Sequence, residues 1–510
     1  MSLALRTASR ASVRPVILAS GSSVRRSGYA TTSSVQSSEA AGGIKIAASD
    51  AGAPTAAISV VVKAGSRYET APGLAHVLRN SLFKRREREE ETPHRWLLAT
   101  SLPSIAGGAE YESIKVFATD SIQMHFHSHY KATNKRSAIR LVRETEMLGG
   151  VLSSSLSREH LVLTAEFIKG NEAYFAEVLG DAIGQAKLSP HEYNEEVLPQ
   201  VASEYEQAIR DPTTYALDLA HGLAFRAGLG NSLFASPHTA VDYTSAVSYA
   251  KAAFAPSNVA VLGSGIDAGS LSKLVSQHFT SSASAAGSLS APATKYFGGE
   301  VRVPLVGHGS ALDTFLLAFE GGASSDLNFA VLQSLLGGEA SVKWSKGLSP
   351  LAQLASGSSS AKAVNLAYSD AGLFGILIHG ASDEVGSVAQ KALAEVQKIA
   401  KGVDGEAVKQ AIAKAKFNAA AALESRVGSL EVLGAQLSAS GKVQPLEDLF
   451  AALDKVSAES VTKAAAKMLK SKPTTVAVGD SRKLPCESHV TGRVLKRGGP
   501  SCEGKDELTS

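Results

Sequence analysis

The chain has 510 residues, 44% hydrophobic and 19% charged, an ordinary balance for a globular protein of two to four domains with a core of good size. A net charge of +3 gives no argument for a nucleic-acid partner, and two cysteines, Cys486 and Cys502, both in the terminal tail, rule out a disulfide framework. No apolar run approaches the roughly 20 residues of a membrane-spanning helix, so any membrane association has to come through partners.

Residues 1–40 differ in kind from the rest. Arg6, Arg10, Arg14, Arg25 and Arg26 stand among Ser, Thr and Ala, and no acidic residue precedes Glu39. This is the composition of a mitochondrial transit peptide, expected to be removed after Arg26 and therefore excluded from the fold. At the other end, Lys505–Leu508 spells an endoplasmic reticulum retention signal, which is read only at the extreme C-terminus. Thr509 and Ser510 follow it, so the match is a coincidence.

Extended runs on either side of Asp50-Ala51-Gly52-Ala53-Pro54 predict a hairpin opening a sheet, and Ile58–Val62 is β-branched enough for a buried strand. The helical stretch Gly73–Lys84 comes next. In zinc peptidases reading His-x-x-Glu-His, two histidines four apart share a helical face and hold Zn²⁺, while the Glu activates the bound water. The same register here reads His76, Arg79, Asn80, which puts a permanent cation where the base belongs and a neutral amide in place of the second histidine. One histidine cannot hold zinc, so the expectation is a degenerate motif with no catalytic, cofactor-binding or metal residues.

Lys63-Ala64-Gly65-Ser66-Arg67-Tyr68-Glu69, followed by Gly73-Leu74-Ala75-His76, resembles the pitrilysin and mitochondrial processing peptidase family. In active members a Glu on a later helix is the third ligand. By position that helix is Tyr193 to Arg210, and the best register places Val201 at the ligand position. The family pattern would run from Phe83-Lys84 almost directly to Thr133, so residues 85–132 look inserted, a surface insertion or a gene-model artefact. Within them His125, His127 and His129 alternate in strand spacing, but no carboxylate or cysteine motif completes a metal site.

Helical sequence resumes from Lys135 to Leu148 and stops at Gly149-Gly150; Ser157–Ala165 supplies a strand, and Ala173–Ala186 and Glu192–Arg210 are helical by period. The chain then repeats itself. Val241–Ala246 through Ser257–Gly263 recurs as Leu453–Ala458 through Pro473–Gly479, and Asp313–Phe319 matches Ile58–Val62. Leu327–Leu336 stands where the His76 helix stood, and long helices Val385–Lys401 and Glu406–Ala422 follow. A repeat this long is a duplicated domain, since solenoid periods are about 20 to 50 residues.

The expected organisation is α+β: an N-terminal peptidase-like domain at 41–280, a Ser/Ala/Gly linker at 281–294, a C-terminal domain at 295–480 and a disordered tail at 481–510. The resemblance implies two tandem homologous domains of the processing-peptidase type, each a mixed, largely antiparallel sheet covered by helices. Ala224-Phe225-Arg226 with Asn231-Ser232-Leu233, Tyr296–Arg302, and Tyr368–Gly375 narrow the resemblance to the family's core subunits of the mitochondrial ubiquinol–cytochrome c reductase complex. This implies a non-catalytic subunit in an obligate hetero-oligomer with core protein 1 and other subunits, peripheral on the matrix side of the inner membrane, with no cofactor of its own. The competing expectation is the non-catalytic α subunit of the matrix processing peptidase, whose hallmark is a glycine-rich loop. Leu336–Gly347 at that place is only modestly glycine-rich and carries Trp344.

Overall fold

The structure is a computed structural model that describes residues 35–39, 43–85, 126–239, 241–279, 289–304, 313–338, 347–354 and 359–491. Within 83–85 and 126–130 only the backbone is described. The transit-peptide stretch up to residue 34, the retention-like signal and residues 339–346 of the loop after Leu336 lie outside these residues.

Two sheets carry the chain. The first contains β1 (Gln36–Glu39), β2 (Lys45–Ser49), β3 (Thr55–Val62), β4 (Phe83–Arg85), β5 (Phe126–Tyr130), β6 (Val151–Leu156), β7 (Leu161–Ile168) and β8 (Val259–Ser264), in the order β1-β2-β8-β3-β7-β6-β5-β4. The second contains β9 (Gly299–Pro304), β10 (Asp313–Gly321), β11 (Ser360–Ala367), β12 (Gly372–Gly380) and β13 (Thr474–Gly479), in the order β11-β12-β10-β13-β9. Five strands of the first sheet, in the order β6-β7-β3-β8-β2, repeat the order β11-β12-β10-β13-β9 of the second, while β1, β4 and β5 have no counterpart there. β2 and β8 pair parallel, as do β9 and β13, while every other pair in both repeats is antiparallel.

That topology corrects the expected hairpin. β2 and β3 flank the turn at 50–54 but do not pair; β8, the last strand of the repeat, lies between them. A turn composition reports that the chain reverses, not whether a distant strand enters the gap. Gln36–Glu39, within residues 1–40 and downstream of Arg26, forms β1 and pairs with β2. Of the expected insertion, 86–125 lies outside the described residues, while β5 pairs with β4 and β6 and so belongs to the sheet. His127 and His129 sit on β5, and His125 lies outside the described residues. The tail is also shorter than expected: Glu487–Thr491 is helical, and Leu484 and Val490 join the second core.

One face of each sheet is covered by helices of its own repeat. The other face is covered by a helix from the opposite repeat. Pro212–Phe225, capped by the Asp211 carboxylate on the amides of Thr213 and Thr214, lays Ala216, Ala220 and Ala224 on Leu316, Val364 and Val476 of the second sheet. In return Arg426–Ser440 lays Leu430 and Leu437 on Val61, Val162 and Leu262 of the first. Each buried Leu or Val contributes roughly 1.5–3 kcal/mol. The exchange explains why β3 is buried on both faces: Ile58, Val60 and Val62 face their own helices, Ala57 and Val61 face the visiting one, and the buried Ser59 hydroxyl is satisfied by Thr164 Oγ1 at 2.9 Å. Gly434 permits the close approach, since a Cβ there would lie 2.4 Å from Val61 Cγ2.

Candidate metal centre

The helix Leu74–Leu82 follows β3 and is buried along its whole length. Its entry is shaped by Glu69, whose Oε2 accepts from Ala75 N at 3.0 Å while Oε1 is buried without a hydrogen-bond partner. Burial pushes this carboxyl up to about 7, against the pull of the amides of Ala75, Gly73 and Leu74. The folded chain thus holds the proton more tightly than the unfolded one, whose carboxyl titrates near 4.5. The Glu69 contribution to stability is full below about 4.5 and is lost as pH rises through 7. Glu69→Gln, which keeps an acceptor for Ala75, should flatten that fall. Melting temperatures at pH 6 and pH 8 test it: an equal drop in variant and wild type would show that Glu69 is not its source.

Further along, His76, Arg79 and Asn80 all turn toward the helix Leu198–Arg210, and all three meet one carboxylate, that of Glu204. His76 Nε2 lies 2.7 Å from Oε2, Asn80 Nδ2 donates to it at 3.0 Å, and the Arg79 guanidinium donates to the same oxygen. Gln200 Nε2 holds the other oxygen at 3.2 Å and Asn80 Oδ1 at 3.1 Å. His76, Arg79 and Glu204 are each no more than 2% exposed. Burial alone would raise the Glu204 carboxyl, but the hydrogen bond from His76 and the Arg79 charge outweigh it and hold it at about 2.

Glu204, and not Val201 at the position that the register assigns to the third ligand, is the side chain that meets His76. Val201, Glu204 and Ala208 share the buried stripe of the helix, but Val201 joins the apolar core, while Glu204, nearly one turn later, reaches His76. The π-helical turn Tyr193–Val197 immediately precedes this helix, and a helical period does not reveal such a turn. The signal that could have found Glu204 is its own chemistry, a carboxylate on an otherwise apolar helix stripe.

The tautomer of His76 follows from its two neighbours. Ala235 N donates to Nδ1 at 3.1 Å, so Nδ1 is the acceptor and Nε2 carries the hydrogen given to Glu204. Burial, with the nearby Arg79 charge, lowers the His76 pKa and keeps the ring neutral. An Nε2–H cannot ligate a metal. The residues present therefore do not fit zinc: a guanidinium stands beside the one carboxylate, and the one histidine offers a hydrogen instead of a lone pair. Among the described residues no group of three His, Cys, Asp or Glu side chains could hold a metal ion. What the arrangement does is tie two helices together through a buried ion pair.

Comparison with known proteins extends this geometry. The sequence model described as "Insulinase (Peptidase family M16)" matches residues 124–236, and "Peptidase M16 inactive domain" matches 240–415. The chain is 40% identical to cytochrome b-c1 complex subunit 2, mitochondrial, of Cryptococcus neoformans, over 88% of this chain and 93% of that protein. It is 35% identical to the protein of that name in Neurospora crassa, over 87% and 88% of the two chains. Similarity to the mitochondrial-processing peptidase subunit alpha of Solanum tuberosum is lower, 28% over 71% of this chain and 75% of that one. With its centre filled by Arg79 and its second half matching the inactive domain, the chain is a degenerate metallopeptidase homologue and not an enzyme. It belongs to the peptidase M16 family, in the group of mitochondrial cytochrome b-c1 complex subunit 2 proteins.

Proposed function

We propose that this chain is a non-catalytic core subunit of the mitochondrial ubiquinol–cytochrome c reductase complex, required for its assembly and stability. It sits peripherally on the matrix side of the inner membrane as an obligate partner of core protein 1 in a dimeric complex, and electron transfer belongs to other subunits. The observation that carries the reading is the Arg79–Glu204 pair: a buried ion pair contributes cohesion and no hydrolysis. Two sheets locked by exchanged helices suit a scaffold, whose permanent interfaces bury about 2,000 Å² or more. Among the described residues no helix is long and apolar enough to cross a membrane, in keeping with attachment through partners.

The similarity to processing-peptidase α subunits favours a second reading, a presequence-binding role. Depleting the chain from mitochondria separates the two. The scaffold reading expects assembled reductase to disappear while imported precursors are still cleaved. Accumulated precursors with an intact reductase would establish the second reading instead.

A further inference from the structure

The duplication places the turn between β6 and β7, Ser157 to His160, in the same position as the turn between β11 and β12, Tyr368 to Ala371. These two equivalent tips meet. Ser369 Oγ donates to Glu159 Oε1 at 2.5 Å, and Ser369 N donates to Glu159 Oε2 at 3.2 Å. Between them lies Arg67, only 7% exposed, from the Lys63–Glu69 stretch that the sequence singles out and of which the metal centre uses only Glu69. Its Nη1 donates to Glu159 Oε1 at 2.6 Å and to Ser369 Oγ at 2.9 Å, and its Nη2 donates to Asp370 Oδ2 at 2.6 Å.

Both ends of this bridge are themselves fixed. Arg67 N donates to Arg158 O at 2.8 Å, and Gly65 approaches so closely that a Cβ there would lie 2.3 Å from Arg158 O. On the far side Thr294 N holds Asp370 Oδ2 at 3.0 Å, which ties the end of the linker to the same point. Tyr368 adds a neutral contact: His221 Nδ1 donates to Leu217 O, so Nε2 accepts from Tyr368 Oη at 2.7 Å.

We infer that Arg67 is a latch that couples the two repeats at the junction of their equivalent hairpin tips, so that the tips open together rather than one at a time. Two carboxylates from opposite repeats share one guanidinium. Arg67 and Glu159 are buried while Asp370 is exposed, so withdrawing the second tip leaves the buried guanidinium with one carboxylate instead of two, and Glu159 without Ser369, which is costly. Lys63–Glu69 and Tyr368–Gly375, far apart in sequence, are the two sides of one device.

Hydrogen exchange read by mass spectrometry on the full-length chain, isolated with its natural partners, tests the latch. Asp370→Asn alters only the second repeat, yet it should speed exchange at least tenfold in the 157–160 turn as well as in 368–371, with strand peptides unchanged. Arg67→Met should do the same more strongly. If Asp370→Asn loosens 368–371 alone, the tips are independent and the latch is refuted. Asp370→Asn keeps the test decisive should Arg67→Met fail to accumulate.

Discussion

Arg79→Met will destabilise the folded chain by about 3–5 kcal/mol at pH 7, because it removes one member of a buried pair and leaves the other charged. Glu204 is 1% exposed, and without the guanidinium its remaining donors, His76, Asn80 and Gln200, are neutral. The pH dependence carries the signature. In the wild type the depressed Glu204 carboxyl contributes stability above about 4.5, and this is lost as pH falls toward 2. In the variant, burial is no longer opposed by Arg79, so Glu204 takes a proton at a higher pH and the difference from wild type narrows in acid. Denaturant unfolding at pH 7 and pH 5 measures both. A loss below 1 kcal/mol at pH 7 would mean that the pair is not a structural tie.

The second large effect is a gain. Arg79→Glu with Asn80→His rebuilds the peptidase motif and gathers His76, residue 80 and Glu204 into a three-ligand set. Zinc binding should appear by calorimetry in the double variant and be absent in the wild type. The affinity should be on the order of 10- to 100-fold weaker than that of an intact site, because Ala235 N still faces Nδ1 and opposes the ligating tautomer. Adding Glu204→Gln should weaken the binding further, whereas adding Val201→Ala should not. A double variant that takes up no zinc would place the loss of the metal outside residues 79 and 80, in the surrounding pocket.

Much of this architecture was legible because the repeat is written twice. Ile58–Val62 and Asp313–Phe319 announce equivalent central strands, and the degeneracy at His76, Arg79 and Asn80 needs only a helical period and charge to be seen. The rest depends on contacts that cross the repeats. Arg426–Ser440 shows weak amphipathicity because its buried face uses small residues such as Gly434 against the foreign sheet. Glu204 was missed because Val201 lies on the same helical stripe, and only packing decides which of the two meets the His76 helix. Residues 481–491 look polar and aperiodic, yet Arg302 anchors them through the carbonyls of Ser481 and Leu484. Backbone acceptors leave no trace in side-chain composition.

Where the chain resides in the mitochondrion tests a scaffold role most directly. Gently solubilised mitochondria, separated under native conditions and read by mass spectrometry, should place it in a large membrane complex together with b- and c-type haem. Recovery instead in a soluble heterodimer, with a partner that carries an intact His-x-x-Glu-His motif, would contradict the scaffold.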